Sequence, residues 1–139
     1  MKRSPVVQEE LTGCGIASCA TIAQISYSKA KKTANGMGIF SHDRRLWSQT
    51  NHVRKILKKL GYKTQKGKVM FSSWHSLPDL ALLAIKWHFE NGEPFWHWVV
   101  FTREKSGKAY VLDSKKSLRT NVRIDFGRIK PKWFIKVYV

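Results

Sequence analysis

Residues 77–102, "LPDLALLAIKWHFENGEPFWHWVVFT", carry two patterns back to back, and the point where they change decides the fold. Up to Gly92, Leu80, Leu83, Ala84 and Trp87 fall at helical spacing, Pro78 suits a first turn and Gly92 a stop. That reading predicts a helix over 77–92. After Pro94, "FWHWVVFT" (95–102) is aromatic and β-branched and reads as a strand. The chain switches from helical to strand character there.

Working outward supports the same division. Upstream, "CGIASCATIAQIS" (14–26) places Ile16, Ala17, Ala20 and Ala23 at helical spacing, a buried helix of about three turns beginning at Cys14. "NGMGIFSHDRR" (35–45) reads as a glycine-containing loop. In "TNHVRKILKKLGY" (50–62), Val53, Ile56, Leu57 and Leu60 form one apolar stripe. Thr50 or Asn51 can cap that helix and Gly61 ends it. Downstream, "SGK" (106–108) is a turn and "AYVLD" (109–113) a strand, so 95–113 forms a hairpin. "VRIDF" (122–126) and "KWFIKVYV" (132–139) are further strands. Helices first and strands second predict an α+β domain, with N-terminal helices packed on a C-terminal antiparallel β-sheet. At 139 residues this is a single domain spanning 1–139.

Composition narrows the function classes. Lys and Arg number 26 against nine Asp and Glu, a net charge of +17. Such a balance suits acidic partners: nucleic acid, an anionic membrane or an acidic peptide. The basic residues run along the whole sequence and no nucleic-acid-binding motif is present, so a solvated basic surface is an equally good account. No run of about 18 apolar residues predicts a membrane span. "MKRSPVVQEEL" (1–11) lacks the apolar core of a secretory signal, so a cytoplasmic chain is expected.

The two cysteines, Cys14 and Cys19, are five positions apart. On a helix they point to different faces, so a disulfide is disfavoured and two free thiols are expected. No spacing suggests a metal site, and no cofactor is implied. Cys19, among Ala and Ile, reads as a small core residue. Cys14 sits at a helix start between Gly13 and Gly15, where unpaired N–H groups favour a thiolate. It can equally be an inert buried thiol. His97 is a polar residue in an apolar strand, on its outer face unless a partner explains it. Asp113 ends the strand across the hairpin from His97, within reach of it; it also suits a simple turn. His52 and His88 read as surface residues on helices, His42 and His75 as loop residues. Together Cys14, His97 and Asp113 supply a nucleophile, a base and an orienting acid. Gln8 can donate its amide to a developing oxyanion beside the Cys14 N–H.

These spacings resemble the papain-like cysteine peptidases that process double-glycine leader peptides of bacteriocins. That family begins with a Gln, five residues, then the nucleophile and Gly; here Gln8 and "EELTG" precede Cys14 and Gly15. Its His precedes a β-branched run, as in "HWVVF" (97–101), and its Asp follows sixteen positions later, often in "LDP"; here Asp113 lies in "VLDS" (111–114). The resemblance implies a papain-like fold, with Cys14 as nucleophile, His97 as general base, Asp113 as orienter and Gln8 in the oxyanion hole. It implies a peptide substrate and a cysteine peptidase, with transpeptidase or acyltransferase chemistry and a toxin domain as uses of the same scaffold. No transporter segment follows in these residues, so a stand-alone relative is expected. A polyanion-binding module without catalysis is the rival reading, and an acidic peptide substrate would reconcile the two.

Three departures from the family matter. Gly13 stands where Asp is frequent, at a position expected to influence substrate contacts. Ser114 replaces the Pro after the acid. The stretch between the predicted helix 77–92 and His97 is short, with little room for an extra strand. Trp96 and Trp98, flanking His97, are expected to border the cleft and touch substrate.

Overall fold

The computed structural model describes residues 2–139. Helix α1 (Cys14–Ala23), helix α2 (Tyr27–Gly36), a single 3-10 turn (Arg44–Leu46) and helix α3 (Asn51–Lys59) come first. Six strands follow: β1 (Val69–Met70), β2 (Leu80–Glu90), β3 (Glu93–Arg103), β4 (Ala109–Leu112), β5 (Val122–Arg123) and β6 (Trp133–Lys136). They form one antiparallel sheet in the order β1-β6-β2-β3-β4-β5. The α+β architecture with helices preceding the sheet is the expected one.

One element is of the wrong kind. The predicted helix 77–92 is strand β2, at the heart of the sheet between β6 and β3. Its residues alternate between two apolar layers. Leu80, Leu82 and Ala84 join the core under the helices, while Ala81, Leu83 and Ile85 join a second core on the opposite face. A strand buried on both faces loses its polar–apolar alternation, and its continuous apolar run mimics a helix. Asn91 and Gly92 have φ of 51° and 79°, the double positive φ of a tight two-residue hairpin turn. Gly92 therefore turns β2 into β3 rather than stopping a helix. The strand for which 77–97 left little room is β2 itself.

The helices follow from their apolar content. Nine of ten residues of α1 are buried, as a helix apolar all round must be. On α3, Val53, Ile56 and Leu57 are buried while Lys55, Lys58 and Lys59 are exposed. Helix α2 covers part of the expected loop 35–45 only at its end; Ser26 caps it through the Lys29 N–H at 3.1 Å. The segment before α1 is strapped to its C-terminal end. Arg3 Nε donates to the Ile22 carbonyl at 3.0 Å and the Val6 N–H to Thr21 Oγ1 at 3.0 Å. A cation belongs at that end of the helix dipole. The strap carries Gln8 to the start of α1.

Candidate active site

Three elements converge on His97. It lies in β3, whose side chains alternate: Trp96, Trp98 and Val100 enter the helix-facing core, and Val99 and Phe101 enter the other. Antiparallel pairing of β3 with β4 sets Val100 opposite Leu112, and this brings Asp113, just past β4, to His97. His97 Nε2 bonds to Asp113 Oδ1 at 2.8 Å. The Cys14 thiol, at the start of α1, lies near enough to the His97 imidazole to favour its protonated form. With Nε2 turned to Asp113, Nδ1 is the nitrogen left for sulfur.

Burial opposes a charge on His97, but the bond to Asp113 and the neighbouring Cys14, with their charges, outweigh it, raising its pKa from 6.5 to about 9. Asp113 is 1% exposed. Burial pushes its carboxyl up; bonds from His97, the Lys115 N–H and Arg123 outweigh that and hold it below the ordinary carboxylate value. Lys115 N donates to Oδ1 at 3.1 Å and Arg123 Nη1 to Oδ2 at 3.0 Å. A buried carboxylate persists only when so partnered. Arg123, on β5, escaped sequence reading because its partner is ten positions away across a strand pair. Asn121 closes the intervening loop through the Asp113 and Lys115 carbonyls, at 2.7 and 2.9 Å.

Gln8 reaches the same place from the N-terminal strap. Its N–H donates to the Ser114 carbonyl at 3.0 Å, and the Ser114 hydroxyl donates to Gln8 Oε1 at 2.8 Å. The residue that replaces the family's Pro thus holds the oxyanion candidate, beside the acid. Gln8 Nε2 donates to the Glu10 and Leu11 carbonyls, both at 2.9 Å. Two carbonyl acceptors on one side and a hydroxyl donor on the other fix which way the amide faces. Gln8 therefore braces the 9–13 loop as it enters α1. The Cys14 N–H has no acceptor among the described residues, and no side chain caps α1.

Gly13 is required by packing. A Cβ there would lie 2.3 Å from the Tyr27 hydroxyl and 3.1 Å from the Glu10 carbonyl. Tyr27 and Ser41 each donate to the Glu10 carboxylate at 2.6 Å, with Lys31 Nζ at 3.2 Å. Those bonds, Ser41's foremost, hold the Glu10 carboxyl below its usual range. An Asp at position 13 would displace Tyr27.

A cleft of about 370 Å³ opens beside His97, lined by Gln8, the 9–11 loop, Lys86 and residues 115–117. Trp96 and Trp98 do not border it. Both are buried and stack edge-on with Trp133, with ring centroids 4.8–5.5 Å apart. Period-2 alternation in β3 sends them into the core when His97 faces the site. Gly13, also buried, is absent from the cleft lining.

The remaining residues sort plainly. Cys14 and Cys19 are both free thiols. Cys19 points to the Val53 carbonyl, 3.7 Å away, and burial pushes its pKa well up. His52 is buried on α3 and bonds to Asp43 at 3.0 Å, not a surface residue as expected. His88 is exposed, but on β2 rather than a helix. His42 and His75 are exposed in loops. Among the described residues no cluster of His, Cys, Asp and Glu could hold a metal ion, and no helix is long and apolar enough to cross a membrane.

Two solved structures resemble this arrangement over nearly all of the chain. One is a double glycine motif protease from an AMS/PCAT transporter in complex with the leader peptide. It has a TM-score of 0.59 and 18% identity, over 98% of this chain and 91% of that one. The other is the peptidase domain of Streptococcus ComA, a bifunctional ABC transporter involved in a quorum-sensing pathway. It has a TM-score of 0.66 and 16% identity, over 98% of each chain. The chain has the fold of a double-glycine peptidase domain. At this identity the likeness speaks for the fold. No protein-family model matches the sequence, and no curated protein matches it.

Proposed function

We propose that the chain is a cysteine peptidase that cleaves a leader or other small peptide through Cys14, His97 and Asp113. The observation that carries this reading is His97 bonded to the buried Asp113 and set near enough to Cys14 for the thiol to help raise its pKa to about 9. A structural histidine has no need of a buried carboxylate on one nitrogen and a cysteine beside its ring. The ComA and AMS/PCAT domains are peptidases by description, one bound to a leader peptide, which favours a peptide substrate here.

The chemistry follows from the geometry. Cys14 passes its proton to Nδ1 of His97 and attacks the scissile carbonyl carbon as thiolate. The carbonyl oxygen takes up the negative charge, received by the Cys14 N–H and by Gln8, which gives up one of its two loop carbonyls. As the C–N bond breaks, the His97 imidazolium gives its proton to the departing amine. Water then attacks the thioester, with His97 taking its proton, and the acid leaves as the thiol reforms. Asp113 keeps the imidazole oriented and stabilises its charge.

The test is cleavage of a peptide library by the full chain, read by mass spectrometry. Cys14→Ala should abolish cleavage, and His97→Ala should slow it by roughly 10²–10⁴. Undiminished cleavage by the Cys14→Ala chain would sink the reading. Gln8→Ala should cost about 10² in kcat.

A further inference from the structure

The positive charge has a particular place beside the cleft. Lys86, Lys115 and Lys116 line it next to Gln8 and His97. Lys86 also lines a second groove of about 410 Å³, with Arg123, Arg128, Lys130 and Lys132. The lining of that groove contains no acidic residue. Lys86 is common to both linings, so the two depressions are neighbours.

Lys86 stands at a bulge, where the pairing of β2 with β3 shifts between Ile85 and His88 and its own φ is 54°. A bulge re-aims a side chain. The Lys86 and Lys115 ammonium groups lie close together; burial and then the neighbouring Lys115 lower the Lys86 pKa. Among the described residues neither is in an ion pair. Asp113 is nearby, but its oxygens are taken by His97, Lys115 N–H and Arg123. Cations crowded together without a counter-charge are stabilised by an anion from outside.

We propose that this groove seats an acidic segment of the peptide substrate, its carboxylates on Lys86, Arg128, Lys130 and Lys132, while the scissile bond lies at Cys14. The proposal rests on the peptidase reading above. A peptide fits better than a nucleic acid. Trp87 is the groove's only aromatic; the Lys132 ammonium lies over its ring, 4.8 Å from the centroid, and Phe89 packs against it T-shaped, with centroids 4.6 Å apart. A single aromatic already capped by a cation offers no run of platforms on which successive bases could stack.

The test uses the full chain carrying Cys14→Ala, so that binding is read without turnover. A Glu-rich decapeptide and its Gln-for-Glu counterpart are titrated calorimetrically. The pair Lys130→Gln and Lys132→Gln is set against Lys55→Gln and Lys58→Gln, an equal loss of charge in the basic pocket beside α3. The groove pair should weaken the Glu-rich peptide about tenfold and the α3 pair less than about twofold. The Gln peptide should bind weakly to all. Circular dichroism checks folding, and Lys130→Gln alone, expected to weaken binding by a smaller factor in the same direction, serves if the pair misfolds. Equal weakening by both pairs would overturn the proposal. So would tighter binding of a single-stranded oligonucleotide of the same charge, lost with the groove pair. The peptidase reading fails separately: a native chain that cleaves nothing and whose Cys14 alkylates no faster than a free thiol would remove it without touching the titration.

Discussion

His97 holds a buried carboxylate on one nitrogen and has Cys14 close by, so its charge controls the site. Its pKa is raised from 6.5 to about 9. A raised pKa means that the imidazolium is favoured by the folded state. The stability it contributes is complete below pH 6.5 and is lost as pH rises through about 9. Cleavage that uses the imidazolium as acid should fall over the same upper limb. A pH–kcat profile that stays flat through pH 10 would contradict this, and His97→Gln should remove the corresponding alkaline drop in melting temperature. Ser114 allows a second prediction. Its hydroxyl holds Gln8 Oε1 and never meets substrate, so Ser114→Ala should lower kcat several-fold with KM little changed. Added in the Gln8→Ala background, the same change should have no further effect on kcat. None of this could be read from "LDS" in the sequence, because hydrogen bonds across 106 residues leave no local pattern.

At the scale of elements, the join between α1 and α2 is set by one missing atom. The Tyr27 hydroxyl fills the space a Cβ at position 13 would take. Gly13→Ala should therefore cost about 1–3 kcal/mol of stability, measured by urea unfolding. Tyr27→Phe in the same chain should cost less than the two changes summed, since the closest atom is the hydroxyl oxygen. Helix α3 was legible by its apolar stripe, and the β3–β4 hairpin by its turn and its aromatic, β-branched run, although β3 too is buried on both faces. Helix α1 was legible because its small residues admit only burial. Strand β2 was misread because apolar cores cover both of its faces. The Asn91-Gly92 pair is a hairpin signal, but beside the helical spacing of Leu80, Leu83, Ala84 and Trp87 Gly92 read as a helix stop. Helix α2 was missed because it buries only Tyr27, Ala30 and Ala34, too thin a stripe to show. The pairing of His97 with Asp113 was legible from their spacing, because a hairpin sets the two strands side by side. The tethers, Arg123 and Asn121, were not.

Across the whole molecule, the net charge of +17 should make peptide choice salt-dependent. Raising salt from about 50 to 300 mM shortens the screening length to less than half. The KM for an acidic peptide should then rise several-fold while that for a neutral peptide changes little. Steady-state kinetics on a matched pair of peptides would check it, and parallel changes in the two would argue that the basic surface plays no part in selection.

The order in which the sheet is built also bears on when the molecule can act. Strand β6 is last in sequence yet lies inside the sheet, between β1 and β2, and Gln8 waits for Ser114. Contacts of such long sequence separation form late in folding. A chain emerging from the ribosome therefore carries Cys14 long before it has a base, an acid or a complete sheet to hold them. A fragment ending before Trp133 lacks an interior strand of the sheet and should cut no peptide.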